Sequence, residues 1–136
     1  MTSSDFHLTV LGTRGSMAIG SPAFSEFGGN TSCYMVRAGE ETLFLDAGSG
    51  LLAAPDEYAK PPVILLSHLH LDHVMGLGMF SALSKRGQKV ILYVPFCADA
   101  EEARSEIDRL FSPPFWPLKL SQMGAELQIR PLPSSF

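Results

Sequence analysis

The sequence lacks three features that would assign it to other classes of protein. It has only two cysteines, Cys33 and Cys97, which stand in unrelated contexts without CxxC spacing, so no disulfide framework is expected. A net charge of −4 argues against an extensive basic surface that binds nucleic acid, although it is compatible with a local basic patch. No apolar run is long enough to cross a bilayer, and no signal-peptide pattern is visible. We therefore expect reduced thiols, no membrane partner and a cytoplasmic location.

What the chain does contain is the composition of a folded protein. Hydrophobic residues make up 46% of its 136 residues, which favours one core-forming domain over disorder. Helical patterns occur at 74–83 and 98–111, and strand patterns occur at 6–10, 32–36, 42–45, 63–66, 89–94 and 126–132. Strands and helices alternate in the second half, whereas the first half is rich in strands. This order predicts an α/β fold with a mixed β-sheet and helices on one face.

Three local expectations follow from the same patterns. The alternation at 6–10 predicts a half-buried strand. Met75 and Met79 lie on a helix with so broad an apolar face that we expect them to fill the core. Phe115 and Trp116 stand in a proline-rich loop, where they plug a gap in the core or contact a substrate or partner. We favour the core position because large aromatic side chains are usually buried.

Four side chains that commonly bind metals lie close together just after a predicted buried strand. His68, His70, Asp72 and His73 follow the apolar run 63–66. Residues two apart point to the same side of an extended chain, so His68 and His70 can face one ion. Asp72 and His73 can reach a second ion where the chain turns into a helix. Imidazole and carboxylate groups suit Zn²⁺, and the same donors accept Mn or Fe.

A packing role alone does not explain this cluster, because unpaired histidines and a carboxylate at a strand end would be costly to desolvate. Hydrogen-bonded side chains without a metal are therefore the less favoured interpretation. Asp46 directly follows the strand pattern 42–45, where its carboxylate can fix the tautomer of a ligand histidine. The alternative for Asp46 is a cap on a short helix at 49–54. We assign Ser67, next to His68, the same supporting role as Asp46.

Four motifs occur along the chain, and together they resemble one family. They are Gly12-Thr13-Arg14-Gly15-Ser16, Gly28-Gly29-Asn30-Thr31-Ser32-Cys33, Leu45-Asp46-Ala47-Gly48-Ser49-Gly50 and His68-x-His70-x-Asp72-His73. The last motif resembles the HxHxDH signature of the metallo-β-lactamase superfamily. The other three resemble its phosphodiesterase-like branch, which is related to ribonuclease Z. The motifs occur in the order of the family, and the resemblance runs from about residue 8 to residue 132.

The resemblance implies a metal-dependent hydrolase. Two divalent ions, zinc in the first instance, would be held by His68, His70, Asp72 and His73. They would activate a water for attack on a phosphodiester, in a small molecule or an RNA. Asp72 would be the catalytic residue, orienting that water or taking its proton.

The resemblance also implies that the chain corresponds to half of a family domain. The family fold is an αββα sandwich of two similar halves with metal ligands from both, and this sequence has no histidine after His73. We therefore expect residues 1–136 to form a single N-terminal half, truncated from a longer domain or completed by another copy in a homo-oligomer. Such a half would be incomplete for catalysis, and it would leave an apolar sheet face to be covered.

A function of a different class stays open beside the hydrolase. The chain would then be a non-catalytic half domain that oligomerises or binds a partner, with a vestigial metal site. The short ligand set supports this alternative, since a catalytic zinc normally has three protein ligands and one open position.

Overall fold

The strands of this protein form one six-stranded sheet, seen in a computed structural model that describes residues 5–132. They lie side by side in the order of the sequence: β1 (Phe6–Gly12), β2 (Cys33–Ala38), β3 (Glu41–Leu45), β4 (Val63–Leu65), β5 (Lys89–Val94) and β6 (Glu126–Pro131). The first three strands are antiparallel neighbours, whereas β3 to β6 run parallel. The predicted mixed sheet is therefore confirmed.

Short helices occupy the connections between the parallel strands. α1 (Leu71–Val74) and α2 (Ser81–Ser84) lie between β4 and β5, and α3 (Ala100–Leu110) lies between β5 and β6. Short 3₁₀ segments are present at Pro22–Phe24, Ser49–Ala53, Met75–Met79 and Leu120–Gln122. Within residues 5–132, no helix combines the length and the apolar character needed to span a membrane.

One face of the sheet forms the core. A row of paired residues, Met35, Phe44, Ile64, Leu92 and Ile129, crosses β2 to β6, and each side chain is at most 6% exposed. The helical connections contribute further buried side chains to the same cluster: Leu77, Phe80, Leu83, Ala103 and Ile107. Burial of this surface between sheet and helices is the main source of stability, because apolar burial contributes roughly 25 cal/mol per Å².

The opposite face of the sheet is also apolar but is only partly buried. Two rows of paired side chains cross it: Leu8, Val36, Leu43, Val63 and Ile91, and Val10, Tyr34, Leu45, Leu65 and Tyr93. Leu8 is 58% exposed and Leu45 is 39% exposed. We call this surface the open sheet face.

The prediction that β1 is half-buried is wrong. Phe6 to Val10 are exposed on both sides of the strand. β1 is the edge strand and pairs only with β2, and the helices lie in connections that begin after β4. Leu8 and Val10 belong to the open sheet face, while His7 and Thr9 lie on the other face and are also exposed.

The single helix predicted at 74–83 is interrupted. α1 ends at Val74, a 3₁₀ segment follows, and Phe80 separates it from α2 in an extended conformation (φ −69°, ψ 117°). Gly76 and Gly78 favour the break, because glycine disfavours a regular helix. The interruption turns both methionines of this segment outward, with Met75 41% and Met79 61% exposed. The expectation that they fill the core is therefore wrong.

The proline-rich loop divides its two aromatic residues between core and solvent. Trp116 packs against the core, with its ring 5.4 Å from that of Phe111. A Cβ on Gly78 would lie only 2.2 Å from Cζ2 of Trp116, so the indole rests directly on the glycine. Phe115 is 85% exposed. The expected core position is correct for Trp116 and wrong for Phe115.

Candidate functional site

The predicted site residues lie at one edge of the sheet, where two parallel strands end. β3 and β4 are paired up to Leu45 and Leu65, so the residues that follow them emerge side by side. Asp46 follows β3, and its backbone N–H donates to the carbonyl of Leu65 at 2.9 Å. His68 follows β4 closely. Carboxyl ends of parallel strands are where open α/β sheets usually place their functional groups.

The carboxylate of Asp46 ties this edge together. Its Oδ1 accepts hydrogen bonds from the backbone N–H and the Oγ of Ser67, both at 2.8 Å. Its Oδ2 lies 2.7 Å from Nδ1 of His73. Asp46 is only 8% exposed and has a positive φ of 61°. Backbone strain in a buried polar residue is typical of functional sites.

The alternative role of Asp46 as a helix cap is not seen. The 3₁₀ segment Ser49–Ala53 has Gly48 at its N-cap position, with no side-chain hydrogen bond. The hydrogen-bonding capacity of Asp46 is directed instead at Ser67 and His73, the contacts that would support a ligand histidine.

The three histidine rings converge. The ring centre of His68 lies 4.0 Å from that of His73 and 4.5 Å from that of His70. Nε2 of His73 is 3.4 Å from Oδ2 of Asp72, and Nδ1 of His68 is 3.0 Å from Oγ of Ser67. All four predicted ligands therefore meet at one place. His73 packs against His68, so the chain does not separate them into the two pairs suggested by sequence spacing.

Convergence of the rings is not the same as a finished coordination shell. Among residues 5–132, no three His, Cys, Asp or Glu side chains have their donor atoms arranged as metal ligands. The donor set itself fits a divalent ion, since it offers three imidazoles and a carboxylate. With Nδ1 of His73 held by Asp46, Nε2 is the nitrogen available for coordination. His70 is exposed and His68 is half-exposed, so neither ring is held by the packing of the core.

Asp72 is held by a part of the chain that local patterns do not connect to it. The backbone N–H of Ser16 donates to Oδ2 of Asp72 at 2.9 Å, across 56 positions of sequence. This hydrogen bond is the main reason why the pKa of Asp72 is lowered, and His73 adds a smaller effect in the same direction. Asp72 is thereby kept ionised, as a ligand or general base requires. Ser16 belongs to the first glycine-rich motif, but its spacing gave no sign of this contact.

Residues of the glycine-rich motifs, together with Gly76, pack closely against the backbone of the histidine segment. We call Thr31, Gly48, Ser49 and Gly76 the clamp. The backbone N–H of Thr31 donates to Oγ of Ser49 at 2.9 Å, and the N–H of Ser49 donates to Oγ1 of Thr31 at 2.7 Å. A Cβ on Gly48 would lie 2.3 Å from the carbonyl oxygen of Asp72, and one on Gly76 would lie 2.1 Å from that of Gly48. These close backbone contacts explain why glycine stands at both positions and why the histidine segment has a fixed place.

The comparison with known sequences agrees with this arrangement. The sequence model of the Metallo-beta-lactamase superfamily matches residues 27–88, which contain three of the four motifs. A ribonuclease Z from Bradyrhizobium sp. (strain ORS 278) is 35% identical over 94 residues, covering 65% of this chain and 29% of the relative. The predicted resemblance to the metallo-beta-lactamase superfamily is therefore confirmed.

Further similar proteins are a second ribonuclease Z sequence and two solved structures with the same fold. A ribonuclease Z from Bradyrhizobium diazoefficiens is 33% identical over 94 residues. A diphosphatase from the PhnP family has a TM-score of 0.61 at 20% identity, covering 95% of this chain and 51% of that structure. YhfI from Bacillus subtilis, a metallo-beta-lactamase fold protein, has a TM-score of 0.58 at 19% identity, covering 91% of this chain and 44% of that structure. The predicted branch and fold are thus confirmed.

The chain spans only part of each of these relatives. It covers 29% of the length of the ribonuclease Z sequences and about half of the two solved structures. The similarity to the two solved structures supports the fold alone. The similarity to the ribonuclease Z sequences supports the predicted branch of the superfamily.

Proposed function

We propose that this chain provides one side of a metal-dependent phosphodiesterase site. The observation that carries the proposal is that the ring of His68 lies within 4.5 Å of the rings of both His70 and His73, centre to centre, beside an ionised Asp72. A cluster of imidazoles at a strand end, with one ring fixed by a buried carboxylate, is what a metal-binding site needs. The ribonuclease Z relatives point to phosphodiesters, in RNA or in small molecules, as the substrate class.

Each residue has a defined task in this proposal. His68, His70, Asp72 and His73 would hold two divalent ions, with zinc as the first choice and Mn or Fe as alternatives. When bound, such ions lower the pKa of a water and polarise a phosphoryl oxygen. Asp46 fixes the tautomer of His73, and Ser67 connects Asp46 to His68. Asp72 orients the attacking water or accepts its proton.

We also propose that the open sheet face is covered in the active protein. Leu8 and Val10 are more than half exposed, and they continue two apolar rows that cross the sheet. An apolar surface of this kind in water marks an interface. Another part of a longer protein, or a second copy of this chain, would bury it and supply the remaining metal ligands.

A metal-binding measurement with a matched histidine control tests the site. The apo chain would be titrated with zinc by calorimetry as wild type, His70→Ala and His7→Ala, and hydrolysis of bis(p-nitrophenyl) phosphate would be followed with metal present. His7 is the remaining histidine, and it lies exposed on β1. We expect wild type and His7→Ala to bind zinc equally and His70→Ala to bind it at least tenfold more weakly. Equal zinc affinity in all three proteins would overturn the proposed ligand set.

A second candidate function, a non-catalytic module that binds a partner or oligomerises, is favoured by the open sheet face. It predicts no zinc binding and no hydrolysis. It also predicts self-association in sedimentation experiments, reduced by a charge at Val10. Zinc binding that depends on His70, together with turnover, would exclude this alternative.

A further inference from the structure

The loop between β1 and β2 forms a small cavity that is open to solvent on one side. The cavity measures about 210 Å³ and is lined by Thr13, Arg14, Phe24, Glu26, Phe27 and Gly28. We call it the loop cavity. It is smaller than the pockets that bind drug-sized molecules, roughly 300–1,000 Å³, and has the size for a single planar ring system.

The aromatic residues of the loop cavity contribute little to the core. Phe27 is 80% exposed and Phe24 is 37% exposed, and neither belongs to the hydrophobic core cluster. Two phenylalanines in a loop rich in glycine, serine and proline offer stacking surfaces that solvent can reach. Bases of nucleotides stack on such rings irrespective of their sequence.

Arg14 gives the loop cavity a positive charge. Its guanidinium carbon lies 4.4 Å from the ring centre of Phe24, and its Nε donates to the carbonyl of Met17 at 2.9 Å. Within residues 5–132, Arg14 forms no ion pair. A guanidinium that is stacked on a ring and held at one nitrogen keeps further N–H groups for a phosphate.

The loop cavity is connected to the proposed metal ligand Asp72 by a short stretch of chain, from Arg14 to Ser16. Arg14 and Ser16 are two residues apart, so their Cα atoms lie at most roughly 7 Å from each other. Ser16 is the residue whose N–H holds Asp72, and it does so with a positive φ of 69°. The start of the loop is also fixed, because the N–H groups of Thr13 and Arg14 both donate to the carbonyl of Asn30, at 3.1 and 3.0 Å.

We propose that the loop cavity binds the nucleobase of a nucleotide phosphodiester whose phosphate lies at the histidine cluster. The base stacks on Phe27, Arg14 contacts a phosphate from its position over Phe24, and the Glu26 carboxylate accepts a hydrogen bond from an exocyclic amine, as acidic side chains do with bases. This inference rests on the proposed function and narrows its substrate class to nucleotides.

The test measures binding without metal, so that it does not depend on turnover. Adenosine 5′-monophosphate and ribose 5-phosphate would be titrated into wild type, Phe27→Ala, Arg14→Gln and Phe6→Ala. Phe6 is a control because it is also an exposed phenylalanine, 68% exposed, but stands at the opposite end of β1 from the site. Loss of one stacking ring is worth about a tenfold loss of affinity.

We expect Phe27→Ala to weaken binding of adenosine 5′-monophosphate about tenfold and to leave ribose 5-phosphate unchanged. Arg14→Gln should weaken both ligands, and Phe6→Ala should weaken neither. Phe27→Trp should restore nucleotide affinity. Equal affinity of wild type and Phe27→Ala for the nucleotide would overturn the inference even if bis(p-nitrophenyl) phosphate is hydrolysed. Nucleotide binding that depends on Phe27, without hydrolysis of any phosphodiester, would uphold the loop cavity and overturn the proposed function.

Discussion

Oδ2 of Asp46 lies 2.7 Å from Nδ1 of His73, and this contact joins the residue after β3 to helix α1, 27 positions later in sequence. The same carboxylate accepts the N–H and hydroxyl of Ser67. One buried side chain thus sets the position of the residue before His68 and the orientation of His73. The histidine segment is organised by Asp46 rather than by its own short helix, α1, which has only four residues.

Replacing Asp46 with asparagine should therefore weaken zinc binding much more than it lowers the free energy of unfolding. Asparagine has the same shape and tolerates the positive φ of 61°, so we expect the variant to fold with a loss of about 1–2 kcal/mol in the free energy of unfolding. Its neutral amide supports the His73 ring less well, and we expect zinc affinity to fall about 10–100-fold. Urea unfolding and calorimetric zinc titration measure the two effects.

Asp56→Asn is the matched control for this change, because Asp56 is an exposed aspartate outside the site. It should alter neither stability nor zinc affinity. Zinc affinity that is unchanged in Asp46→Asn would contradict the supporting role of Asp46.

The glycines of the clamp should tolerate no side chain. A Cβ at Gly76 would lie 2.1 Å from the carbonyl oxygen of Gly48. Gly48 cannot move away easily, because its own Cα packs closely against the carbonyl oxygen of Asp72. We expect Gly76→Ala to lower the free energy of unfolding by about 3 kcal/mol, as measured by urea unfolding. Gly20→Ala is the control, because no heavy atom lies within 4 Å of its Cβ position, and it should change stability by less than about 0.5 kcal/mol.

Elements governed by local pattern could be predicted from the sequence. The strand predicted at 89–94 has the expected bounds. Helix α3 starts at Ala100, two residues later than the pattern at 98–111, because the side chain of Asp99 caps it by accepting from the N–H of Glu102 at 2.8 Å. The contact between Asp46 and a histidine could also be predicted, because a carboxylate at the end of β3 faces the end of a neighbouring strand. In each case the cause lies within the element or at the end of the next strand.

Features that depend on distant segments could not be predicted. The hydrogen bond from Ser16 to Asp72 spans 56 positions, and no periodicity encodes it. The packing of Trp116 directly on Gly78 is likewise visible only once the chain is folded. The exposure of β1 depends on how far the helices extend across the sheet. The alternation of residues along β1 gives no information about that extent.

The two aromatic residues of the proline-rich loop should differ in their effect on stability. Trp116 rests on Gly78 and Phe111, so Trp116→Ala should cost about 2–4 kcal/mol. Phe115 is 85% exposed, and Phe115→Ala should cost less than about 0.5 kcal/mol. Because Trp116 is the one tryptophan in the sequence, its fluorescence follows unfolding of wild type and Phe115→Ala, and circular dichroism follows Trp116→Ala. Similar losses in both variants would contradict the division of this loop between core and solvent.

The two free thiols should react at very different rates. Cys33 is 0% exposed, and burial, assisted by the negative charge of Asp46, raises its pKa to about 12. Cys97 is partly exposed, although burial also raises its pKa above the ordinary value. Since the thiolate is the reactive form, Ellman's reagent at pH 8 should modify one thiol in the folded protein and both in urea. Rapid modification of two thiols without urea would contradict the burial of Cys33.

The same shift predicts how stability changes in mild alkali. Above pH 9 the Cys33 thiol of the unfolded chain ionises while that of the folded chain stays protonated, so the unfolded state binds fewer protons and stability falls as pH rises. The slope approaches about 1.4 kcal/mol per pH unit. Between pH 9 and 10, below the ordinary pKa of Tyr58, Cys33→Ala should show a smaller slope in urea unfolding than wild type. The pKa of Cys97 is also raised, so Cys97→Ala should reduce the slope as well, but less than Cys33→Ala because Cys97 is partly exposed. Identical slopes in wild type and Cys33→Ala would contradict the raised pKa of Cys33.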